Sequence, residues 1–472
     1  MAHPLTDTAV GARLDRAPWQ RLHTAILLAL GAGWLFDSFE VQIFSSAIGP
    51  LGDHFHASVF QRDAVLAVWL GGILLGAVTG GRLADRFGRR RLFVATLLWY
   101  AGFTVLTGLS PTLAAVYGLR FLAALGVGAE YAIINAAIAE FMPARVRGKA
   151  NAAVMNFWPA GAIAAGLLAF LALDTLALSS AVSWRSMFVL GGLLALVVLY
   201  FRRRLPESPR WLVAHGRPTE AEAILRNLEA HPTHGPEEAM VAAMPDPAAP
   251  RARSAFVELV RHYPGRVLLG SVLDLAEAFG FYGLFALLSV IVLPQVHISQ
   301  AGIPLFYIIG SVGALAGGLV MAALFDKVGH RAMVTGCYVL AAVGIAGLAG
   351  ATAGGSAFWV TIAFIAASAF STAAWTSAYP AFTELFPTHL RAVGVGTCVA
   401  VGRIGAIVGT LALPSIAAGI GAGASYELVA AFWLVGAGAM ATYTWRGGAE
   451  GARRSLEDLA PPRTAPAQLE AA

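Results

Sequence analysis

What this chain of 472 residues lacks most is charge: Asp, Glu, Lys and Arg together supply 12% of it, about half the share of a soluble domain. So few charges cannot cover a water-facing surface, which excludes the string of globular domains that the length alone would suggest. Cysteine is nearly absent. Cys337 and Cys398 both fall inside apolar runs, and that excludes a disulfide framework. Asparagine occurs four times (Asn135, Asn151, Asn156 and Asn227), never opening an N-glycosylation sequence. No phosphate-binding GxxxxGK[ST] loop occurs, which argues against ATP hydrolysis. The eleven histidines are scattered over loops and tails, with His54 and His56 read as solvated, so no metal site and no cofactor are expected. No constellation of an enzyme is visible.

What is there is hydrophobic: 58% of residues. The apolar runs are continuous rather than alternating and rich in Ala, Leu and Gly, which favours membrane helices over barrel strands. Spans of roughly 20–25 residues cross a hydrocarbon core of ~30 Å. Twelve fit, at 22–48, 63–83, 92–109, 113–141, 149–173 and 185–204, then 265–293, 302–325, 332–352, 356–383, 392–420 and 426–446. The expectation is an all-α integral membrane protein of two six-helix bundles, 22–204 and 265–446. These are flanked by a tail (1–21), a central loop (205–264) and a second tail (447–472). Helical pieces are expected in the loop at Pro218–Ala230 and Ser254–His262, with a Pro/Ala/Met-rich linker between them and a disordered end beyond Gly447. The polar stretch Met1–Gln20 has no apolar core, so no cleaved signal is expected.

The basic residues are lopsided. Arg62 and Arg185 are assigned to one side of the membrane and Arg120 and Arg403 to its interior, and all the others share the second side with both termini. By the positive-inside rule that side is the cytoplasm.

The two halves repeat. Gly81-Arg82-Leu83-Ala84-Asp85-Arg86-Phe87-Gly88-Arg89-Arg90-Arg91 follows span 2, and Asp326-Lys327-Val328-Gly329-His330-Arg331 follows span 8. Glu140-Phe141-Met142-Pro143 with Arg147 recurs as Glu384-Leu385-Phe386-Pro387 with Arg391. Asp37-Ser38-Phe39-Glu40 in span 1 recurs as Asp274-Leu275-Ala276-Glu277 in span 7. Each partner lies about half the chain away.

On these residues the chain resembles the major facilitator superfamily. Gly81 to Arg91 fits its G-x-x-x-D-R-x-G-R-R-R signature, and Arg120 with Gly126-Val127-Gly128 fits its span-4 motif. Pro206–Leu212 fits the P-E-S-P-R-[WY]-L run of its sugar-porter and organic-ion branches. Phe157-Trp158 and Gly402-Arg403-Ile404-Gly405 are most similar to metabolite:proton symporters, including nicotinate and aromatic-acid carriers. The resemblance implies two halves rocking about a midplane site.

Charges inside a bilayer cost at least ~2.5–3.5 kcal/mol each, so each is a candidate. Asp37 and Glu40 share a helix face, at a depth comparable with that of Arg120. The resemblance makes Glu40 and Arg120 a proton-coupling pair, with Asp37 second. A static ion pair that fixes packing is the alternative. Glu130 is read either as a further proton site or as a structural hydrogen-bonding residue. Arg403, ~18 Å into span 11, is either a clamp for a carboxylate or the neutraliser of Asp274 and Glu277. Those two acids are candidates for substrate or proton binding, and they replace the amide-rich span-7 pattern of sugar porters, which puts a hexose in doubt. Trp34, Tyr131, Asn135, Asn156, Trp158, Tyr282, Trp375 and Tyr379 are candidate cavity-lining residues, with helix packing the alternative. Asn156, Trp158 and Tyr379 are favoured because a polar atom at depth needs a partner.

A cytoplasmic latch is expected of Gly81, Asp85, Arg86, Gly88, Arg89, Arg90, Glu140, Arg147, Glu207 and Arg210, with Arg89 and Arg90 reaching Glu140. Asp85 is expected to cap a helix start. The equivalent set Asp326, Arg331, Glu384 and Arg391 is read as weaker, because Lys327 and His330 stand where arginines are expected. The function expected is proton-coupled uptake of a small organic anion, such as an aromatic carboxylate, by a monomer in a bacterial cytoplasmic membrane. A sugar or polyol symporter, a proton-driven exporter and, remotely, a membrane sensor are the alternatives. No nucleic acid is expected as a partner.

Overall fold

The structure is a computed structural model that describes residues 7–176, 178–203, 205–229, 252–298, 302–387 and 390–451. Among them twelve helices are long and apolar enough to cross a membrane, and no strand occurs. Spans 1 to 4 are Arg21–His54, Val59–Phe87, Arg89–Gly108 and Leu113–Phe141. Span 5 is Arg147–Met155 followed by Phe157–Phe170, and span 6 is Ser180–Arg202. Spans 7 to 12 are Pro264–Leu287, Ile303–Val328, His330–Ala353, Ala357–Leu385, Arg391–Ile420 and Ala422–Trp445. Helices are the form in which such apolar segments satisfy their own backbone groups without water.

The helix ends follow local chemistry. Ser58 and Gln61 exchange backbone and side-chain hydrogen bonds at the start of span 2 (3.3 and 2.9 Å), a reciprocal cap. Thr112 accepts from the Ala115 amide at the start of span 4. The turns after spans 2 and 8 each pivot on one glycine with positive φ, Gly88 at 90° and Gly329 at 102°. That backbone form is open to glycine and strained for other residues. Expected and observed boundaries part where proline or charge misled the hydropathy. Span 1 runs on through Pro50 to His54, and span 3 begins at Arg89, so Arg89, Arg90 and Arg91 lie on the helix rather than in the turn.

The repeat is visible in the packing. Span 1 packs on span 5, span 2 on span 4 and span 3 on span 6; spans 7 on 11, 8 on 10 and 9 on 12 copy this pattern. The halves meet where span 2 touches span 11 and span 8 touches span 5, again equivalent pairs. Leu190, Leu196, Leu319, Val343 and Trp359 face outward, as a lipid-contacting surface requires.

Outside the spans, Pro209–Ala214, Pro218–Leu228 and Ala252–His262 form short helices near the expected places. A helix at Asp7–Arg16 was not anticipated. Its Arg13 bonds Glu222 and Glu229 of the central loop (2.5 and 2.7 Å), and its Asp15 accepts from Arg147 (3.0 Å). The expected linker and the disordered end beyond Gly447 fall mainly outside the described residues.

Candidate functional site

Between the halves lies a tight cavity of about 10 Å³, room for roughly one water. Span 1 contributes Trp34, span 4 Tyr131 and span 5 Trp158; span 7 contributes Glu277, Phe281 and Tyr282, span 10 Trp375 and Tyr379, and span 11 Arg403. The rings are in mutual contact. Trp34 stacks on Tyr131 at 4.8 Å and meets Trp158 and Trp375 edge-on, both at 5.6 Å between centroids. These are preferred aromatic geometries. Phe281, a wall residue, was passed over because an apolar side chain in a membrane span carries no signal. Asn156 is placed elsewhere: its Nδ2 donates to Ala152 O (3.2 Å) and its Oδ1 abuts Gly318 at the seam of spans 5 and 8. Asn135 lies on span 4, with its side chain outside the described residues.

Arg403 is the cation of this wall and is 3% exposed. One Nη donates to the Tyr282 hydroxyl at 3.3 Å, and the other stands 3.9 Å from Asp274 Oδ2, too far for a hydrogen bond. Its Nε has no partner. The guanidinium also lies 5.8 and 5.6 Å from the ring centres of Tyr131 and Tyr282, a cation–π arrangement. A group with five donors is thus held in place while most of them stay available. Asp274 is fully buried and neither of its oxygens has a hydrogen-bond partner. The backbone here is close-packed, since a Cβ on Gly402 would collide with that carboxylate.

A second cluster lies within the first half. Arg120 Nη1 donates to Glu40 Oε1 at 2.7 Å, with the two side chains 0% and 1% exposed. The Thr104 hydroxyl donates to the same oxygen. Phe44, Trp69 and Phe188 surround the guanidinium at 5.2–5.5 Å. Glu130 has a partner that the sequence reading assigned to the basic side: Arg202, buried at the end of span 6. It grips both Glu130 oxygens, one at 2.9 Å, and donates to Phe93 O at 2.9 Å. The clue was available, since a buried acid at that depth is either paired with a cation or protonated. Asp37, fully buried, faces this pair with neither oxygen hydrogen-bonded, and the Tyr100 hydroxyl stands beside it.

On the basic face the two turns are wired alike. Arg89 holds Glu140 through two bonds (2.8 and 3.1 Å), while Glu207 accepts the Arg89 amide at 2.7 Å and the Arg90 amide at 3.3 Å. Two expectations need correction. Arg90 does not reach Glu140; it turns to the Arg203 carbonyl (3.4 Å), because helix geometry directs consecutive side chains about 100° apart. Asp85 does not start a helix; it lies in the last turns of span 2, and its side chain is outside the described residues. Glu207 serves the start of span 3 instead. Gly81 is buried in span 2, Arg86 is exposed with its guanidinium over the Phe87 ring, and Arg210 is buried at the start of a short helix.

The second turn is as fully connected as the first. His330, at the place of Arg89, bridges Glu384 (2.7 Å) and Asp326 (3.0 Å). Glu450 accepts the His330 amide (2.7 Å) and Arg331 Nε (3.0 Å), as Glu207 does in the first half. Glu450 was missed because it was read as part of a tail. Asp326 also accepts the Lys149 amide of span 5 at 3.2 Å, so this turn ties the two halves together. Arg147 and Arg391 hold the carbonyls that follow spans 4 and 10, Met142 and Phe386.

Comparison with known proteins adds the following. The family model described as "Sugar (and other) transporter" matches residues 38–460. The niacin transporter NiaP of Acinetobacter baylyi is 27% identical over 84% of this chain and 88% of its own. The inner membrane metabolite transport protein YgcS of Escherichia coli is 27% identical over 92% and 93%. Among solved structures, the proton:xylose symporter XylE bound to 6-bromo-6-deoxy-D-glucose superposes with a TM-score of 0.76 at 20% identity, covering 93% of this chain and 98% of that one. That last likeness concerns the fold.

Proposed function

The chain belongs to the sugar (and other) transporter family of the major facilitator superfamily, and from that premise we propose that it takes up a small organic anion, an aromatic carboxylate above all, together with protons. The observation that carries the substrate class is Arg403, a buried guanidinium with unused donors in a wall of aromatic rings. A planar carboxylate satisfies those donors in pairs, while the rings of Trp34, Trp158 and Trp375 supply flat apolar faces. The niacin transporters among the relatives support the same class. A sugar or polyol is the second reading, favoured by the family description. Against it stands a described cavity wall that offers hydroxyls, indoles, one carboxyl and one guanidinium but no side-chain amide.

In this reading the basic face is cytoplasmic and the membrane is the bacterial inner membrane. The monomer is the working unit. With the latches of Glu140 and Glu384 closed, the site is shut from the cytoplasm. Proton binding at the Asp37–Glu40 cluster loosens Arg120, the halves rock, and both latches open. Glu130, closed on Arg202, holds packing. An exporter would run the same cycle backwards.

The test is nicotinate and benzoate against xylose on the purified protein by thermal shift. Stabilisation by the carboxylates that vanishes in Arg403→Ala supports the proposal. Stabilisation by xylose alone, unchanged in that variant, refutes the anion reading. Proteoliposome uptake driven by an inward proton gradient then separates importer from exporter.

A further inference from the structure

Counting buried charges half by half gives a result that one-proton symport does not contain. In the first half Asp37, Glu40 and Glu130 face Arg120 and Arg202; in the second, Asp274 and Glu277 face Arg403. All eight are 3% exposed or less. Among the described residues at that depth of burial, 3% exposed or less, each half holds one carboxyl group more than it has guanidinium groups. The surplus falls on equivalent helices, spans 1 and 7, in each of which the two acids stand three residues apart on one face.

The surplus groups are also the poorly bonded ones. Glu40 and Glu130 are closed on their arginines. Asp37 is bonded to no cation; the neighbouring Arg202 is already gripped by Glu130, and its other neighbours are Glu40 and the Tyr100 hydroxyl. Asp274 and Glu277 share a single guanidinium, 3.9 Å from Asp274. The other groups facing that pair, Tyr282 on the same helix, Tyr338 on span 9, Tyr379 on span 10 and Cys398 on span 11, carry no charge at neutral pH. An unpaired buried carboxylate is the costliest state available to such a group, and protonation removes that cost.

We infer that the transporter binds two protons, one at Asp37 and one shared by Asp274 and Glu277, and that a monoanionic substrate therefore enters with a net charge of +1. This rests on the proton-coupled reading above. The second proton is tied to the substrate through Arg403. A ligand carboxylate that takes the guanidinium's free donors withdraws that shared cation from the span-7 pair, and the proton on that pair stays for as long as the ligand does. Release of the anion frees Arg403 for Asp274, and the proton leaves. Two protons and one anion cross together, and nothing else is consumed.

The experiment uses the full chain in proteoliposomes with labelled nicotinate. The pH gradient and the potassium-valinomycin potential are set independently. Uptake should respond to both, with equilibrium accumulation rising about tenfold for each ~60 mV of inside-negative potential. Asp274→Asn with Glu277→Gln should abolish the response to potential while the response to the pH gradient remains. Uptake driven by the pH gradient but indifferent to potential in the native protein overturns the two-proton inference and leaves symport standing. Uptake indifferent to the pH gradient, or no nicotinate uptake, overturns the reading on which it rests. Infrared spectra of the purified protein at pH 7 with saturating nicotinate give a readout free of transport. Two protonated-carboxyl bands are expected, one lost in Asp37→Asn and the other in the span-7 double variant; no such band overturns the inference.

Discussion

Replacing Arg202 by methionine probes the claim that Glu130 is a packing residue. Methionine is about as long, fits the span and removes only the polar head. The change deletes both bonds to Glu130 and the one to the Phe93 carbonyl. It leaves a fully buried carboxylate that keeps no cation of its own among the described residues. Breaking a buried pair in this way costs about 3–5 kcal/mol, a large fraction of the 5–15 kcal/mol that holds a typical domain. Adding Glu130→Gln removes the stranded charge and recovers most of the loss, because a neutral pair without ions is often as stable as the ion pair. The assay is unfolding of the detergent-solubilised protein, with the double-mutant cycle giving the coupling. A single variant as stable as the parent, or a double variant no better than the single, refutes the reasoning.

Glu40→Gln leaves Arg120 without its partner carboxylate, so uptake driven by a proton gradient should fall to background while exchange of internal for external substrate persists; exchange and uptake lost together would point to misfolding instead. His330→Ala strands Asp326 and Glu384 opposite each other, and cysteines placed along spans 5 and 8 on the basic face should label several-fold faster; unchanged labelling removes His330 from the latch. Arg13 holds the Glu222 carboxyl below the usual carboxylate range, chiefly through their hydrogen bond. Docking of the helix Asp7–Arg16 is therefore fully present above about pH 4.3, the ordinary glutamate value, and is lost as the pH falls through the lowered one. Hydrogen exchange over that helix should stay slow from pH 7 to 5 and quicken below. Arg13→Ala should be fast at every pH.

The spans were legible because lipid demands continuous apolar helices, and Glu40 with Arg120 because two isolated charges at one depth must find each other. The same logic reached the aromatic wall through Trp34, Tyr131, Trp158, Trp375 and Tyr379. It failed where position alone misleads. Arg202 sits in the last turn of its helix and reads as a surface anchor, yet its side chain runs back toward Glu130. Asn156 carries a polar group at depth, but its direction around the helix sends it to the seam with span 8, and sequence fixes depth better than direction. Glu450 gains its role only from the chain turning back after span 12 onto the turn at Gly329, a contact that no local pattern encodes.

The central claim is that Arg403 receives a carboxylate inside the aromatic cavity. Calorimetric titration of the purified protein with nicotinate measures this directly. The account predicts saturable binding that Arg403→Lys weakens at least tenfold, since an ammonium group cannot replace the paired donors, and no competition from xylose. Equal affinity in the native and Arg403→Lys proteins, or displacement of nicotinate by xylose, would contradict it.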